Sequence, residues 1–156
     1  MATVYGANST KVRTGPTGEN ILSTGLAGGR VRCMYDSYEC AALASGSVIE
    51  MGQELPVGAK ILEIILHTDN LQNSTTLAVG DYEDADRYLD AVDCGSAEVT
   101  KMMGTTTGNI DGRGYEIDET YTGKTVGSGT DRQITITTGT GEATGTIKLI
   151  VLYVID

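Results

Sequence analysis

The chain has 156 residues, enough for one domain that buries roughly 70% of the surface of its unfolded chain without help from a disulfide or a metal. Its formal net charge is −10, from 11 Lys and Arg against 21 Asp and Glu, and this excludes nucleic acid as a partner of the whole chain because phosphate contacts need basic residues. No apolar run approaches the roughly 20 residues of a membrane-spanning helix, and Met1 is followed by a polar stretch rather than a signal peptide. We therefore expect a protein made in a reducing cytoplasm, with no membrane partner.

The composition favours strands joined by tight turns over helices. Gly accounts for 21 residues and Pro for only 2, and Thr, which suits the pleated surface of a sheet, is abundant. The aromatic residues are eight Tyr, with no Phe and no Trp. A Tyr side chain buries its ring while its hydroxyl stays available to a partner, so this composition also suits half-buried faces and interfaces.

Residues 1–30 differ from the rest of the chain. They hold few apolar residues, show no regular period and are interrupted by Gly-Pro and Gly-Gly steps. We predict an extended N-terminal arm over 1–30, ordered when it lies on another surface, and a single domain over 31–156. The first 32 residues carry four basic residues against Glu19 alone, a balance of +3, whereas the remainder carries seven against 20, a balance of −13. The two parts are therefore expected to make different contacts.

Short strands are predicted along the whole domain, in chain order at 31–40, 47–51, 60–68, 75–79, 114–117, 121–126, 132–138 and 146–155. In the third of these, Leu62, Ile64 and Leu66 alternate on one face, and the odd-numbered residues from Ile61 to His67 lie on the other. One helical turn is predicted around Asp84–Leu89, and residues 94–114 are weakly patterned.

The segment 132–138 alternates cleanly. Ile134 and Ile136 are predicted to point inward, and Gln133, Thr135 and Thr137 to point outward. A Gly-rich turn at 139–145 then leads into the last strand.

The last strand, 146–155, is apolar on both faces. One face is predicted to carry Ile147, Leu149, Val151, Tyr153 and Ile155, and the other to carry Ile150, Leu152 and Val154. A strand of this kind is covered on both faces, by another sheet on one side and by a second subunit or the arm on the other. We therefore predict that Ile150, Leu152 and Val154 pack against another subunit.

About eight short strands, Gly-rich turns and almost no helix predict an all-β protein, an antiparallel β-sandwich. Jelly roll is the preferred topology and an immunoglobulin-like sandwich is the alternative. The number of strands does not by itself decide their order in the sheets.

His67 is the only histidine, and Glu63 and Asp69 lie near enough in sequence to orient it as a general base. Such neighbours on an outward strand face are common without catalysis. The chain has no second histidine for a metal site and no Ser or Cys in a nucleophile-elbow setting. We therefore expect no enzymatic activity, no cofactor and no metal.

The three cysteines, Cys33, Cys40 and Cys94, form no CxxC pair. Cys33 and Cys40 are seven residues apart, so they point to opposite faces of one strand and neither pair locally nor share a metal. We expect all three to be free thiols, and we expect Cys33 and Cys40 to serve as small buried apolar groups.

Two further segments could bind ions. The acidic segment 81–86 could hold calcium through its carboxylates, but it lacks the EF-hand pattern of Gly at the sixth position and Glu at the twelfth, and we favour a solvated acidic turn that caps a short helix. The tripeptide 123–125 (GKT) ends like a phosphate-binding loop, but the Gly required five residues before Gly123 is Asp118. We therefore interpret it as a turn.

Three stretches resemble small virion proteins encoded among the structural genes of tailed bacteriophages. They are GGRVRCMYDSYECAALASGSVIEM at 28–51, ILHTDNLQNSTTLAVGDYEDADRYLDA at 65–91 and TGTIKLIVLYVID at 144–156, in the same order. The resemblance implies a capsid decoration (cement) protein, a jelly-roll homotrimer on the outer face of the head. Its implied partner is the major capsid protein and its implied location is the virion.

Under that resemblance, the basic arm is expected to contact the capsid or a neighbouring subunit through Tyr5, Lys11, Arg13, Arg30 and Arg32. Two alternatives remain open. One is a tail or fibre-associated module whose exposed Tyr side chains contact host glycan. The other is a small cupin-like hydrolase or isomerase, which would need clustered His and Glu metal ligands where this chain has a single His.

Overall fold

The computed structural model describes residues 29–103 and 132–155. They form eight strands: β1 (Arg32–Leu43), β2 (Val48–Met51), β3 (Lys60–Thr68), β4 (Thr76–Gly80), β5 (Leu89–Asp93), β6 (Val99–Met102), β7 (Ile134–Thr138) and β8 (Ala143–Val154). Neither range contains a helix, and therefore neither contains a helix that could cross a membrane. The segments 1–28, 114–117, 121–126 and 123–125 lie outside the described residues, so the arm, two of the predicted strands and the GKT turn stay predictions.

The strands form two antiparallel sheets of four, which confirms the predicted β-sandwich. Sheet A has the order β1-β8-β3-β6, and sheet B has the order β2-β7-β4-β5. The pairing is nested along the chain: β1 pairs with β8, β2 with β7, β3 with β6 and β4 with β5. Two more pairings, β3 with β8 and β4 with β7, complete the two sheets.

The core lies between the two sheets and is built from alternate residues of their central strands. Its fully buried members include Ile64, Leu66, Leu77, Val79, Ile134, Ile136, Ile147, Leu149 and Val151. The inward faces predicted for 132–138 and for 146–155 up to Tyr153 are thereby confirmed. Each such aliphatic side chain contributes about 1.5–3 kcal/mol when it leaves water, so the sandwich holds without a disulfide, and all three cysteines are free.

A β-bulge changes the faces of β3. Ile61 pairs with Tyr153 and Glu63 pairs with the next residue of β8, Leu152, so Leu62 is an extra residue without a partner. The bulge rotates the chain, and Ile61 is buried with Ile64 and Leu66 while Leu62 is 37% exposed. The predicted placement of Leu62 on the same face as Ile64 and Leu66 is therefore wrong, because one inserted residue reverses the alternation on one side of it.

The predicted helical turn at Asp84–Leu89 is also wrong. Residues 82–88 form turns and bends, and Leu89 begins β5. The backbone N–H groups of Glu83 and Asp84 donate to Asp81 Oδ1, and the N–H of Tyr88 donates to the carbonyl of Val79 at 2.9 Å. The two bonds to Asp81 are those of a helix N-cap, but the N–H of Tyr88 pairs with Val79 instead of the carbonyl of Asp84, so the chain turns into β5 and does not continue as a helix.

Thr135 faces outward from sheet B as predicted but is only 1% exposed. It pairs with Glu50 on one side and Gly80 on the other. Tyr82, two residues after Gly80, donates a hydrogen bond from its hydroxyl to Glu50 Oε1, and this bond bridges from β4 to β2 across β7. This hydrogen bond therefore joins the two sides of the row in which Thr135 lies.

The cysteines divide into two groups. Cys40 is buried as predicted, Cys94 is buried as well, and burial raises the pKa of both thiols above the ordinary cysteine value. Cys33 is exposed, which corrects the prediction for this residue. Cys33 pairs with Leu152 on the outer face of sheet A, whereas Cys40 is seven residues along the same strand and faces the core.

Candidate interaction surface of sheet A

Strand β1 is the most exposed strand of the sandwich. It has 12 residues, of which only Cys40 is fully buried, and β8 is its one partner among the described strands. At about 3.3 Å per residue it is roughly 40 Å long. A long edge strand presents unpaired N–H and C=O groups and is a natural site for contact with another chain.

A row of apolar side chains crosses the outer face of sheet A. Tyr35 pairs with Ile150, Ile150 with Ile65, and Ile65 with Met102, so these four residues lie side by side on β1, β8, β3 and β6. Tyr35 is 59% exposed, Met102 is also exposed, and the two Ile side chains are half-buried. We name this set the apolar row. An outer face that met only water would carry polar residues at these positions.

The two flanking rows differ in character. On one side, Lys148 pairs with Ser37 and with His67. On the other side, Leu152 pairs with Cys33 and with Glu63. The apolar row therefore has a cation on one border, and Leu152 extends it on the other.

The inner side of β1 is also accessible. Tyr38 pairs with the buried Ile147, so it points to the core side of sheet A, and yet it is 39% exposed. Asp36 lies on this same side and accepts a hydrogen bond from the N–H of Gly52 at 2.6 Å. β1 therefore carries an accessible Tyr on each of its faces.

The predicted interface residues fall in different environments. Arg30 and Arg32 are exposed at the start of β1, and Tyr5, Lys11 and Arg13 lie outside the described residues. Ile150 and Leu152 are half-buried on the outer face of sheet A. Val154 is 3% exposed, so its own chain leaves little of its side chain for a second subunit.

The sequence did not single out Tyr35, Ile65 or Met102 as a group. A signal was present in the sequence of β3, where strict alternation put the apolar Ile61 and Ile65 on the face opposite to Ile64, which is unusual for a strand with one side in water. The bulge returns Ile61 to the core face, and Ile65 stays on the outer one. The row itself could not be seen, because it depends on the register among four strands that are distant in sequence.

The side chain of His67 contacts strand β6 and the residue before it. Its Nδ1 lies 2.8 Å from the hydroxyl of Thr100 on the paired strand β6, and its Nε2 lies 3.6 Å from Glu98 Oε1. Both ring nitrogens thus face β6 and the residue before it. Within 29–103 and 132–155, no group of three or more His, Cys, Asp and Glu side chains could hold a metal ion.

The acidic loop between β4 and β5 is organised by an ion pair inside the loop. Asp81 is 1% exposed, and its Oδ2 lies 2.7 Å from Arg87 Nε. Arg87 also contacts Glu83 at 2.8 Å. The two backbone N–H groups that donate to Asp81 Oδ1 complete the set, so the guanidinium occupies the position that a bound cation would take.

No protein-family model matches the chain, and no curated protein matches it significantly. Among solved structures, the chain is similar to a chain in the capsid asymmetric unit of cyanophage Pam1, with a TM-score of 0.64 and 21% identity over 92% of this chain and 96% of that one. It is also similar to a chain in the capsid of Ralstonia phage GP4, with a TM-score of 0.58 and 24% identity over 82% and 86% of the two chains. The likeness shows that this chain shares its fold with a chain of each of these two phage capsids.

Proposed function

We propose that the protein is a capsid decoration (cement) protein that binds the outer surface of a phage head and stabilises the shell by protein–protein contacts. The observation that carries this proposal is the likeness to the chain of the Pam1 capsid, which extends over 92% of one chain and 96% of the other. A match of this extent covers most of both chains rather than one short segment that they share. The resemblance of the sequence to small virion proteins supports the same function independently.

The distribution of charge suits this role. The chain is acidic overall, at −10, which keeps free copies soluble and gives them no attraction to packaged DNA. Arg30 and Arg32 are exposed where the described chain begins, directly after the basic segment that holds Lys11 and Arg13. We propose that these residues, with Tyr5, contact the major capsid protein or a neighbouring subunit.

We further propose that the sandwich is a jelly roll and that the protein acts as a homotrimer. The nested pairing supports the first proposal, since a ribbon that pairs β1 with β8 and ends in the β4–β5 hairpin can wrap into two sheets. A trimer binds the shell at three points, and its avidity exceeds the affinity of any single contact.

The proposal is tested by binding of the purified full chain to heads that lack it. Reversing the four cations (Lys11→Glu, Arg13→Glu, Arg30→Glu and Arg32→Glu together) is expected to abolish decoration at physiological ionic strength. The matched control, Arg13→Lys, Arg30→Lys and Arg32→Lys, keeps the charge and is expected to decorate fully. Full occupancy by the reversed variant would show that the basic segment does not bind the shell.

A tail or fibre-associated module that contacts host glycan is the competing function. A labelled antibody against the chain discriminates between the two on intact virions. Label distributed over the head supports decoration, and label confined to the tail tip would overturn it.

A further inference from the structure

Strand β1 is the longest edge strand in the described part of the two sheets. The other edge strands, β2, β5 and β6, have four or five residues, whereas β1 has 12. β1 contains no Pro and no Lys, two residues that commonly protect an exposed edge. We call the side of β1 that faces away from β8 the open edge, because no other described strand pairs with it.

The hydrogen bonds of β8 show which backbone groups of β1 point at the open edge. Thr146 in β8 bonds to Asp69, next to the end of β3, through both its N–H and its C=O, so its backbone groups point toward β3. This direction alternates along a strand, so the odd-numbered residues of β8 from Ile147 to Tyr153 point their groups at β1. Their partners are the even-numbered residues of β1. The odd-numbered residues of β1 therefore point their N–H and C=O groups at the open edge, and they are Cys33, Tyr35, Ser37 and Glu39.

The side chain of Asp36 caps the open edge near its middle. The N–H of Ser37 donates to Asp36 Oδ1 at 2.8 Å, so one of the groups that an added strand would need is already bonded. Asp36 Oδ2 accepts a second hydrogen bond, from the N–H of Gly52 at 2.6 Å, directly after β2. Both oxygens of the carboxylate are held, and its position beside Ser37 is therefore fixed.

Gly52 is close to β1 because it lacks a side chain. Its φ is +66°, and a Cβ there would collide with Sδ of Met34. Met34 points to the same side of β1 as Asp36, two residues away. The close approach of Gly52 to Met34 thus places the N–H that holds Asp36 Oδ2.

The other end of β1 is protected by its bulge. Ala42 has φ +57°, and its N–H turns back to Thr144 Oγ1 at 3.3 Å. The regular part of the open edge therefore runs from Arg32 to Cys40, where the pairing with β8 is continuous. The capped N–H of Ser37 divides this part in two.

We propose that Asp36 keeps the open edge of β1 from pairing with the open edge of a second copy, a contact that would join two copies of sheet A into one sheet. A second copy is the partner that fits best, because two open edges have the same length and each carries Tyr35, which is 59% exposed and would be buried by the pairing. The inference concerns the free chain and does not depend on the proposed function.

The first test measures the mass of the purified full chain by sedimentation over a range of concentrations. Asp36→Ala frees the N–H of Ser37 and is expected to form assemblies of at least about twice the wild-type mass. Glu39→Ala is the matched control, because it removes the same charge from β1 while the Glu39 carboxylate accepts from the Thr146 hydroxyl. The control is expected to keep the wild-type mass. A wild-type mass for Asp36→Ala, or equal assembly by both variants, would overturn the proposal.

A double variant separates pairing at the open edge from aggregation of an unfolded chain. Ser37→Pro in the Asp36→Ala background removes the freed N–H, and Pro is tolerated on an edge strand where the N–H points away from the sheet. The double variant is expected to return to the wild-type mass. Assemblies that persist in it would not form through the open edge, and this result would contradict the proposal.

Amide hydrogen exchange tests the cap in the unmodified chain. The N–H of Ser37 is expected to exchange roughly 10-fold or more slowly than those of Cys33 and Tyr35, which face the same edge, because it is bonded to a carboxylate. Equal rates would show that Asp36 does not hold this N–H. Neither result depends on binding to phage heads, so a failure here is distinct from a failure of the proposed function.

Discussion

Arg87 donates from Nε to Oδ2 of Asp81 across 2.7 Å, and the carboxylate that accepts this bond is 1% exposed. The pair joins the two ends of the acidic loop between β4 and β5. A buried carboxylate that keeps its charge needs such a partner, because transfer of an isolated charge out of water is costly.

Removing the buried carboxylate is therefore expected to destabilise the fold. Asp81→Ala removes the carboxylate that accepts from Arg87 Nε and from two backbone N–H groups, and it is expected to cost about 3 kcal/mol in the free energy of unfolding. Glu83→Gln, which weakens the more exposed Arg87–Glu83 pair, is the control and is expected to cost less than about 1 kcal/mol. Urea denaturation at pH 7 measures both, and equal losses would contradict the role of Asp81.

The ion pair between Asp81 and Arg87 also leads us to a prediction about calcium binding. Because Arg87 already neutralises Asp81, calcium is expected to leave the Tm of the wild-type chain unchanged. Differential scanning calorimetry with calcium and with chelator provides the measurement. A Tm that rises with calcium concentration would identify a cation site in this segment after all.

Asp69 and Thr146 hold the end of β3 to the start of β8 and make stability depend on pH. The N–H of Asp69 donates to the carbonyl of Thr146 at 3.0 Å, and the N–H of Thr146 donates back to Asp69 Oδ2 at 3.1 Å. Hydrogen bonds from the Thr146 side chain and backbone lower the pKa of Asp69 below its ordinary value. The folded state therefore favours the charged form, and this contribution is present above the pKa of the unfolded chain and is lost as the pH falls through the folded pKa.

Asp69→Asn is thus expected to be less stable than the wild type at pH 7, with a difference that shrinks as the pH falls through the folded pKa. Chemical denaturation of both proteins between pH 7 and pH 2 tests this. A difference that stays constant across that range would show that the charge of Asp69 plays no part.

The bulge in β3 predicts losses of stability of very different size for two apolar residues that are two positions apart. Ile64→Ala creates a cavity in the core and is expected to cost about 2–5 kcal/mol. Leu62→Ala removes an exposed side chain and is expected to cost less than about 1 kcal/mol. Comparable losses in urea denaturation would mean that Leu62 is on the core face, as strict alternation would have placed it.

The turn between β7 and β8 depends on a glycine that meets a neighbouring loop. Gly141 has φ +82°, and a Cβ there would lie 2.1 Å from the carbonyl oxygen of Asn73. Gly46 has a similar φ of +81° but open space around it, so Gly46→Ala measures the backbone strain alone, about 1 kcal/mol. Gly141→Ala is expected to destabilise the protein by clearly more in thermal unfolding. Equal shifts in Tm would show that the loop at Asn73 moves away from the new Cβ without a loss of stability.

The sequence by itself determined the class of fold and most of the core. In β7 and β8, alternation with a period of two is a property of the extended backbone, so Ile134, Ile136, Leu149 and Val151 had to share the inward side of their strands. The absence of a nucleophile-elbow setting and of a second histidine was equally readable, because composition and spacing decide it.

The tertiary structure decided what depends on register and on distant partners. The bulge at Leu62 is defined only against β8, and the loop after Asp81 is non-helical because the N–H of Tyr88 pairs with the carbonyl of Val79 on β4. The apolar row exists because three pairings place Tyr35 and Met102 at opposite ends of one line across sheet A. No local pattern encodes such a row, because each pairing joins segments that are distant in sequence and that only the folded chain brings side by side.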